Sequence, residues 1–272
     1  MLNEKYQKLK DILTGMESVL VAFSGGTDSS LLLKVAHDVL GDKAIAITAV
    51  SASLAASERT EAMQIAALIG ARHILLESGE TSDPDYLSNT PNRCFFCKKE
   101  TFGKLAGYAQ QHGIRFLVDG TNADDTGDYR PGRKAALQFH VRSPLLEAGL
   151  TKAEIRSLSH ELGLPNWDKP AAACLSSRIP YGTAITLEAL SQVERAEAML
   201  HGLGLRQLRV RHHGPVARIE VEPEDFPRLL EHRNEIITRL KAIGYTFVSL
   251  DLAGFHSGSL NAGLPDAHAQ AG

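Results

Sequence analysis

The sequence predicts an α/β fold in which a doubly wound parallel sheet is followed by a smaller C-terminal α+β domain. Continuous apolar runs alternate with helical patterns in the first half of the chain, as they do in βαβ units. The first apolar run ends in the glycine-rich string SGGTDSS, which opens a helical pattern. Near the C-terminus, alternating segments and helical segments occur together, which is typical of a small mixed domain.

The elements of the first half follow from their apolar patterns. Residues 1–18 have the spacing of a short amphipathic helix, and Val19–Phe23 is a continuous apolar run typical of a buried parallel strand. Helical patterning then continues to Leu40. The next strands and helices are predicted, in chain order, at Ala44–Val50, 57–70, Ala71–Glu77, 98–112 and Ile114–Asp119.

The second half has a different pattern. Residues 120–135 form a polar loop, and residues 151–163 form a helix because Thr151 and Glu154 have the spacing of a capping box. The remaining elements are predicted as a loop at 164–183, helices at 186–202 and 224–243, and strands at 205–212, 216–222 and 246–252. The patterns divide the chain into a nucleotide-binding domain at 1–165, a cysteine-bearing loop at 166–183, a C-terminal domain for substrate binding and oligomerisation at 184–261, and a disordered tail at 262–272.

The composition restricts the function classes. The formal net charge of the 272 residues is -3, which gives no global attraction to nucleic acid or to a membrane. No run approaches the roughly 18 apolar residues of a membrane span, and the polar start lacks the apolar core of a signal peptide. We therefore expect a cytoplasmic protein. Its three cysteines do not indicate a disulfide framework.

The string SGGTDSS carries the clearest chemistry. Gly25 and Gly26 allow the backbone to approach a ligand closely, and successive N–H groups at a helix N-terminus form an anion site. Asp28 is suited to Mg²⁺ that bridges phosphates. Hydroxyl donors come from Ser24, Thr27, Ser29 and Ser30. The alternative is an ordinary strand–turn–helix connection, but neither a Walker A loop nor GxGxxG is present.

The same string resembles the PP-loop of the ATP pyrophosphatases. That resemblance implies an enzyme that cleaves ATP to AMP and pyrophosphate while it adenylates a substrate oxygen. It also implies that the loop grips the β- and γ-phosphates, and that adenine stacks near Val50 and Ser51. Asp124 and Asp125 follow the strand Ile114–Asp119, whose end faces the same crevice in a doubly wound sheet. They either help to hold Mg²⁺ or form a solvated turn.

The cysteines have two interpretations. Cys94 and Cys97 form a CxxC pair, and Cys174 lies far along the chain in PAAACLSSRIPYG. Three thiolates fit a 4Fe–4S cluster with one open iron, whereas a closed zinc site needs a fourth ligand. The alternative is three unrelated thiols, since cysteine is often simply buried.

Longer strings resemble the LarE family of sulfur transferases. VRSPLLEAGLTKAEIR, LGLPNWDKPAAACLSSRIPYG and the C-terminal SGSLN carry the resemblance, which covers residues from about 18 to 261. It implies that a carboxylate of pyridinium-3,5-biscarboxylic acid mononucleotide is adenylated and that sulfur then replaces oxygen, during nickel-pincer cofactor biosynthesis. Some members sacrifice the cysteine that matches Cys174, while members with a CxxC pair look like 4Fe–4S enzymes. This sequence resembles the second type.

The C-terminal hairpin predicts a charged face. Arg209 and Arg211 alternate with buried positions on one strand, and Glu220 lies on the same face of the next. A solvated face with cross-strand ion pairs is the ordinary interpretation. The family resemblance favours binding of the substrate phosphate, with Arg178 as a further ligand. His256 stands in GFHSGSLN where relatives are expected to have arginine.

Three other functions remain possible from the sequence. A PP-loop tRNA thiolase shares the loop and the cysteines, but the acidic balance does not favour a nucleic-acid partner. An amidotransferase-type synthetase uses ammonia and does not need the cysteines, and a nucleotide sensor binds ATP without turnover. The family implies a homo-oligomer, either a hexamer or a trimer-based assembly, with sulfide or another sulfur donor as a partner.

Overall fold

The structure, a computed structural model, describes residues 2–127, 131–170, 172–256 and 258–260. The helices are α1 (Leu2–Thr14), α2 (Thr27–Leu40), α3 (Ala56–Ile69), α4 (Pro84–Leu87), α5 (Arg93–Gln111), α6 (Pro131–Gln138), α7 (Pro144–Glu147), α8 (Lys152–Glu161), α9 (Leu187–His201), α10 (Phe226–Glu231) and α11 (Arg233–Ile243). The strands are β1 (Val19–Ala22), β2 (Ala44–Val50), β3 (Arg72–Glu77), β4 (Phe116–Val118), β5 (Leu208–His213), β6 (Val216–Val221) and β7 (Phe247–Leu250). The tail predicted to be disordered, 262–272, lies outside the described residues.

The chain forms two compact units. The first contains the chain up to Asp83 together with Cys94–Ala172, and the second contains Pro84–Arg93 together with the chain from Ala173 onward. The prediction from sequence had assigned 84–93 to the first domain, but this stretch packs in the second unit. None of the described helices combines the length and the apolar character that crossing a bilayer requires.

The first unit contains a parallel sheet in the order β3-β2-β1-β4. Every neighbouring pair is parallel, with Val21 opposite Ala46 on β2 and Val118 on β4. Val19, Leu20 and Val21 are fully buried, which explains the continuous apolar run of this central strand. The chain places β2 and β3 on one side of β1 and β4 on the other, so the carboxyl end of β1 is a topological switch point. The predicted α/β fold is confirmed.

The second unit contains a mixed sheet in the order β5-β6-β7. β5 and β6 are antiparallel, whereas β6 and β7 are parallel. The inward positions of β5 and β6 are fully buried, and the core that they form also contains residues of α9 and α11: Leu208, Val210, Ala217, Ile219 and Val221 are the strand residues. The alternation predicted for the hairpin is confirmed on this inward face.

Three predicted elements differ from the structure. The helix expected near 98 begins at Arg93, directly after the turn at Pro91, so the CxxC pair lies in its first turns. The loop expected at 120–135 contains a 3₁₀ turn at Ala123–Gly127 and the start of α6, because proline is favoured at the first position of a helix. The single helix expected at 224–243 is divided at His232, where the backbone leaves the helical region (φ −89°, ψ 9°). The capping box on α8 is confirmed.

Candidate active site

The loop between β1 and α2 lies at the switch point of the sheet. Gly25 has a φ of +71°, and a Cβ at this position would lie 2.8 Å from the Cα of Ala62 on α3. Any side chain is therefore excluded there. Gly26 is the N-cap of α2, and no described side chain caps that helix end. The amides of the first turn thus form the anion site that the sequence predicts.

The loop hydroxyls divide into one exposed group and three internal ones. Ser24 is exposed, and its Oγ accepts from the Gly26 N–H (3.3 Å). The structure corrects the role expected for Thr27, Ser29 and Ser30, which are buried. Thr27 Oγ1 donates to the carbonyl of Asn166 (2.9 Å), and Ser29 Oγ donates to that of Gly26 (3.1 Å). These hydroxyls hold the shape of the loop.

A residue that the sequence did not single out braces the loop from behind. Asn166 Nδ2 donates to the Gly25 carbonyl (2.8 Å) and to Ser30 Oγ (2.9 Å). Three residues on, Lys169 forms ion pairs with Glu58 (2.8 Å) and with Glu61 on α3. The segment 166–169 therefore ties the nucleotide loop to the helix that packs against Gly25. Its only sequence signal was the string NWDKP.

Asp28 is arranged as a metal ligand would be. Its Oδ2 pairs with Lys152 Nζ at 2.6 Å, while its Oδ1 is buried and has no hydrogen-bond partner among the described residues. An orphaned carboxylate oxygen beside a phosphate-binding loop fits the hard-oxygen chemistry of Mg²⁺. Lys152 was not predicted, although it directly follows the capping-box residue Thr151.

The turn after β4 lies against the same loop. A Cβ at Gly120 would come within 3.0 Å of the Ser29 backbone nitrogen, so this strand end reaches the crevice as predicted. Asp124 Oδ2 accepts the Lys152 N–H (2.8 Å), and Asp125 Oδ2 accepts the Asn122 N–H (3.0 Å). Both carboxylates thus have local capping roles in the structure, and Asp124 contacts the backbone of the lysine that pairs with Asp28.

A chain of hydrogen bonds runs along the carboxyl ends of β2 and β3, beside Val50. Ser51 Oγ lies 2.9 Å from Ser53 Oγ, and Ser53 Oγ donates to the buried Glu80 (2.9 Å). Ser78 Oγ donates to Glu80 and to Glu100 (2.5 Å to the latter). Burial opposes ionisation of Glu100, but hydrogen bonds from Ser78, the Gly79 N–H and Lys104 outweigh it, so its pKa is lowered. The chain fixes the turn where adenine is expected.

In the second unit, Cys174 begins a tightly held segment. It is exposed and is the N-cap of a 3₁₀ turn, Leu175–Arg178. Arg178 donates to the carbonyls of Ala173 (2.6 Å) and Cys174 (3.0 Å). Its remaining nitrogens pair with Glu197 (2.9 and 2.8 Å). The structure therefore gives Arg178 an internal role in place of the direct phosphate contact expected from sequence.

The charged face of the hairpin is buried, contrary to the ordinary expectation of a solvated one. Glu220 is fully buried and accepts two bonds from Arg211 (2.9 and 2.7 Å) and one from Arg218 (3.0 Å). Arg211 also donates to the carbonyl of Ser177 (2.8 Å). The Cys174 segment thus rests on this face. Such a cluster of charges is stable only because each guanidinium is paired.

Arg209 differs from its neighbours. Its guanidinium lies 5.2 Å from the centre of the Phe255 ring and donates to the Leu208 carbonyl (2.7 Å). Burial, with a further contribution from the nearby charges of Arg178 and Arg211, lowers its pKa to about 10. A partly desolvated cation beside two others has excess positive potential, which favours an anion. His256 is exposed, and its Nε2 lies 2.6 Å from the Ala253 carbonyl.

The other cysteines are on α5. Cys94 is exposed and Cys97 is partly buried, and all three cysteines of the chain are thiols. Their i, i+3 spacing places both on one face of the helix. Within the described residues, no group of three or more His, Cys, Asp or Glu side chains is placed to hold a metal ion. Cys94 and Cys97 belong to the first unit and Cys174 to the second.

Known proteins resemble the chain over nearly its full length, although no family model matches it. It is 39% identical over 267 residues to the pyridinium-3,5-bisthiocarboxylic acid mononucleotide synthase of Lactiplantibacillus plantarum, a match that covers 98% of this chain and 97% of that protein. The chain belongs to the LarE family. It is also 45% identical over 263 residues to the uncharacterized protein slr1717 of Synechocystis, covering 96% and 98% of the two chains.

Shorter similarities extend to other PP-loop enzymes. The tRNA-specific 2-thiouridylase MnmA of Xanthobacter autotrophicus is 30% identical over 191 residues, which are 56% of this chain and 49% of that one. A glutamine-hydrolyzing GMP synthase of Methanococcus vannielii is 28% identical over 181 residues, 60% and 56% of the two chains. This LarE-family protein is therefore an ATP-dependent sulfur transferase built on the PP-loop fold.

Proposed function

We propose that this enzyme adenylates a carboxylate of pyridinium-3,5-biscarboxylic acid mononucleotide and then replaces one carboxylate oxygen by sulfur, in nickel-pincer cofactor biosynthesis. The similarity over 98% of the chain to a synthase named for the bisthiocarboxylic acid carries the proposal. The nucleotide loop supports the ATP-dependent half of the reaction. The tightly held Cys174 segment supports the sulfur-transfer half.

In the first half, a carboxylate oxygen attacks the α-phosphorus of ATP, the α–β bond breaks, and pyrophosphate leaves. The backbone N–H groups at Gly25 and Gly26, with the exposed Ser24 hydroxyl, bind the β- and γ-phosphates. The buried hydroxyls of Thr27, Ser29 and Ser30 keep those donors in place. Val50 and Ser51 contact the adenine.

Mg²⁺ belongs to this half of the reaction. The residues that would hold it are Asp28, through its orphaned Oδ1, and Asp124. When bound, the ion neutralises charge on the phosphates. Lys152 keeps the Asp28 carboxylate in one orientation through the 2.6 Å ion pair.

In the second half, a sulfur nucleophile attacks the carbonyl carbon of the acyl-adenylate. AMP leaves with the former carboxylate oxygen, and a thiocarboxylate remains. AMP is a far better leaving group than an unactivated carboxylate oxygen, and a soft sulfur nucleophile suits the acyl centre. Cys94, Cys97 and Cys174 hold a 4Fe–4S cluster as thiolates. When bound, such a cluster supplies sulfide that an external sulfur donor replenishes.

The phosphate of the substrate binds at the arginine face. Arg209 is the direct ligand because its surroundings concentrate positive charge. Arg211 adds charge beside it, while Arg178 and Glu220 fix the positions of the guanidiniums. Replacing Arg209 by methionine should weaken the mononucleotide and leave ATP binding unchanged. Equal substrate affinity in the folded variant would exclude this assignment.

Iron and acid-labile sulfide analysis of anaerobically prepared protein tests the cluster. We expect about four irons per chain, lost in Cys94→Ala and in Cys97→Ala. Trace iron with sustained turnover would exclude a cluster. A single turnover that converts residue 174 to dehydroalanine would instead mean that Cys174 forms a thioester and then gives up its own sulfur, as its Cα proton leaves and its Cβ–S bond breaks.

A second candidate function is thiolation of tRNA, which the MnmA similarity favours. The net charge of -3 does not favour it, because bulk nucleic-acid binding depends on phosphate neutralisation. A gel shift with bulk tRNA at moderate salt separates the two functions. The family further supports a cytoplasmic homo-oligomer, either a hexamer or a trimer-based assembly, which light scattering on the purified chain measures.

A further inference from the structure

The Cys174 segment is tied to a stretch of chain far upstream. Residues 84–93 pack in the second unit, although the chain on both sides of them belongs to the first. Arg93, which is 2% exposed, donates through Nη1 to the Ser176 carbonyl (2.9 Å) and to Asn89 Oδ1 (2.6 Å). The Tyr86 hydroxyl lies 2.5 Å from that of Ser176. One turn of the cysteine segment is therefore held from two directions.

Asn89 holds the following part of the same segment. It is fully buried, with a left-handed backbone (φ +52°) that asparagine tolerates better than most residues. Its amide nitrogen donates to three carbonyls, those of Ile179 (3.2 Å), Pro180 (2.8 Å) and Thr183 (2.9 Å). Its own carbonyl accepts the N–H of Gly182 (3.0 Å). A single side chain thus replaces the regular hydrogen bonding that this irregular loop lacks.

These ties lie next to both cysteine positions. Arg93 directly precedes Cys94 at the start of α5, and Ser176 stands two residues after Cys174 in the 3₁₀ turn. The hydrogen bond from Arg93 to Ser176 therefore joins the two segments that carry thiols. Both segments are short and regular, so a change at the guanidinium is passed directly to the backbone of each.

We propose that Arg93 and Asn89 are positioning residues for the sulfur-transfer step, which fix the Cys174 segment against the backbone that leads into Cys94. This inference rests on the proposed function, because it assigns the thiols to transfer. It gives residues 84–93 a reason to fold away from their flanks. Neither residue touches the substrate in this account, and neither contributes to adenylation.

Two variants of the full chain separate positioning from general stability. Arg93→Met removes both donated bonds while it keeps the aliphatic volume, and Asn89→Gly removes the amide while it keeps the left-handed backbone. Arg93→Lys retains a donor. Arg239→Met, at an exposed arginine that pairs with Glu235 on α11, is the control.

Pyrophosphate release and thiocarboxylate formation are measured separately. We expect unchanged pyrophosphate release and KM for ATP in both variants, with sulfur transfer reduced about 10- to 100-fold, the usual cost of misplacing a reacting group by about 1 Å. Arg93→Lys should recover part of the loss, and the control should match the wild type. Unchanged sulfur transfer in both variants, or an equal fall in both half-reactions, would overturn the proposal.

Hydrogen exchange gives a readout that does not depend on turnover. In Arg93→Met and Asn89→Gly, exchange of peptides covering 173–185 should rise while exchange of those covering 24–30 stays unchanged. No change at 173–185 contradicts the tie itself. Wild-type protein that releases no pyrophosphate with the pyridinium mononucleotide contradicts the proposed function, whatever the exchange shows.

Discussion

Replacing Asn166 tests how the nucleotide loop obtains its shape. Its amide donates to the Gly25 carbonyl and to Ser30 Oγ, and alanine removes both bonds. At about 0.5–1.5 kcal/mol for each bond, Asn166→Ala costs the ordered loop about 1–3 kcal/mol. If that cost appears in nucleotide binding, the affinity for ATP falls about 5- to 150-fold. Asn166→Asp should lose more, because a carboxylate faces the Gly25 carbonyl and adds negative charge behind the phosphates.

The assay is pyrophosphate release at varied ATP with saturating pyridinium mononucleotide. We expect the KM for ATP to rise, and the KM for the mononucleotide to stay unchanged, since the latter is held in the second unit. Asn234→Ala, at an exposed position on α11, is the matched control. An unchanged KM for ATP in Asn166→Ala, or wild-type behaviour of Asn166→Asp, would refute the reasoning.

Three further variants test other parts of the account. Gly25→Ala should abolish ATP binding by calorimetry, because its Cβ meets Ala62 at 2.8 Å and its φ is +71°; retained binding contradicts the close approach. Glu220→Gln should destabilise the fold by about 3–5 kcal/mol in urea unfolding, because it leaves Arg211 buried without its carboxylate; a loss below about 1 kcal/mol would contradict this. The pKa of Glu100 is below its ordinary 4.5, so its contribution to stability is complete above pH 4.5 and is lost as pH falls through the lower, folded value. Glu100→Gln should therefore flatten the acid side of the stability profile, and an unchanged profile would contradict it.

Elements with strong periodicity were predictable from sequence. The continuous run at β1 and the alternation of β5 and β6 each match one environment, a strand buried on both faces and a strand buried on one. The limits at Ala44–Val50 agree with the structure because apolar β-branched residues end abruptly on both sides. The start of α5 was misplaced because CFFC carries no helix signal of its own.

The residues that hold the site together were not predictable in the same way. Asn166, Lys152 and Arg93 each act on partners more than 80 positions away in the chain. Each is a polar side chain at a loop or a helix start, where no periodic pattern marks it. The charged face was misjudged for a related reason: alternation shows that Glu220 faces away from the core, but not that another segment covers it.

The central claim is that ATP activates a carboxylate for attack by sulfur supplied through Cys174. The most direct measurement incubates the enzyme with ATP, Mg²⁺, a sulfide source and pyridinium-3,5-biscarboxylic acid mononucleotide, and quantifies pyrophosphate and thiocarboxylate by mass spectrometry. We predict equal amounts of both in the wild type, and pyrophosphate without thiocarboxylate in Cys174→Ala. Thiocarboxylate formed at the wild-type rate by Cys174→Ala, or no pyrophosphate release on addition of the mononucleotide, would contradict the account.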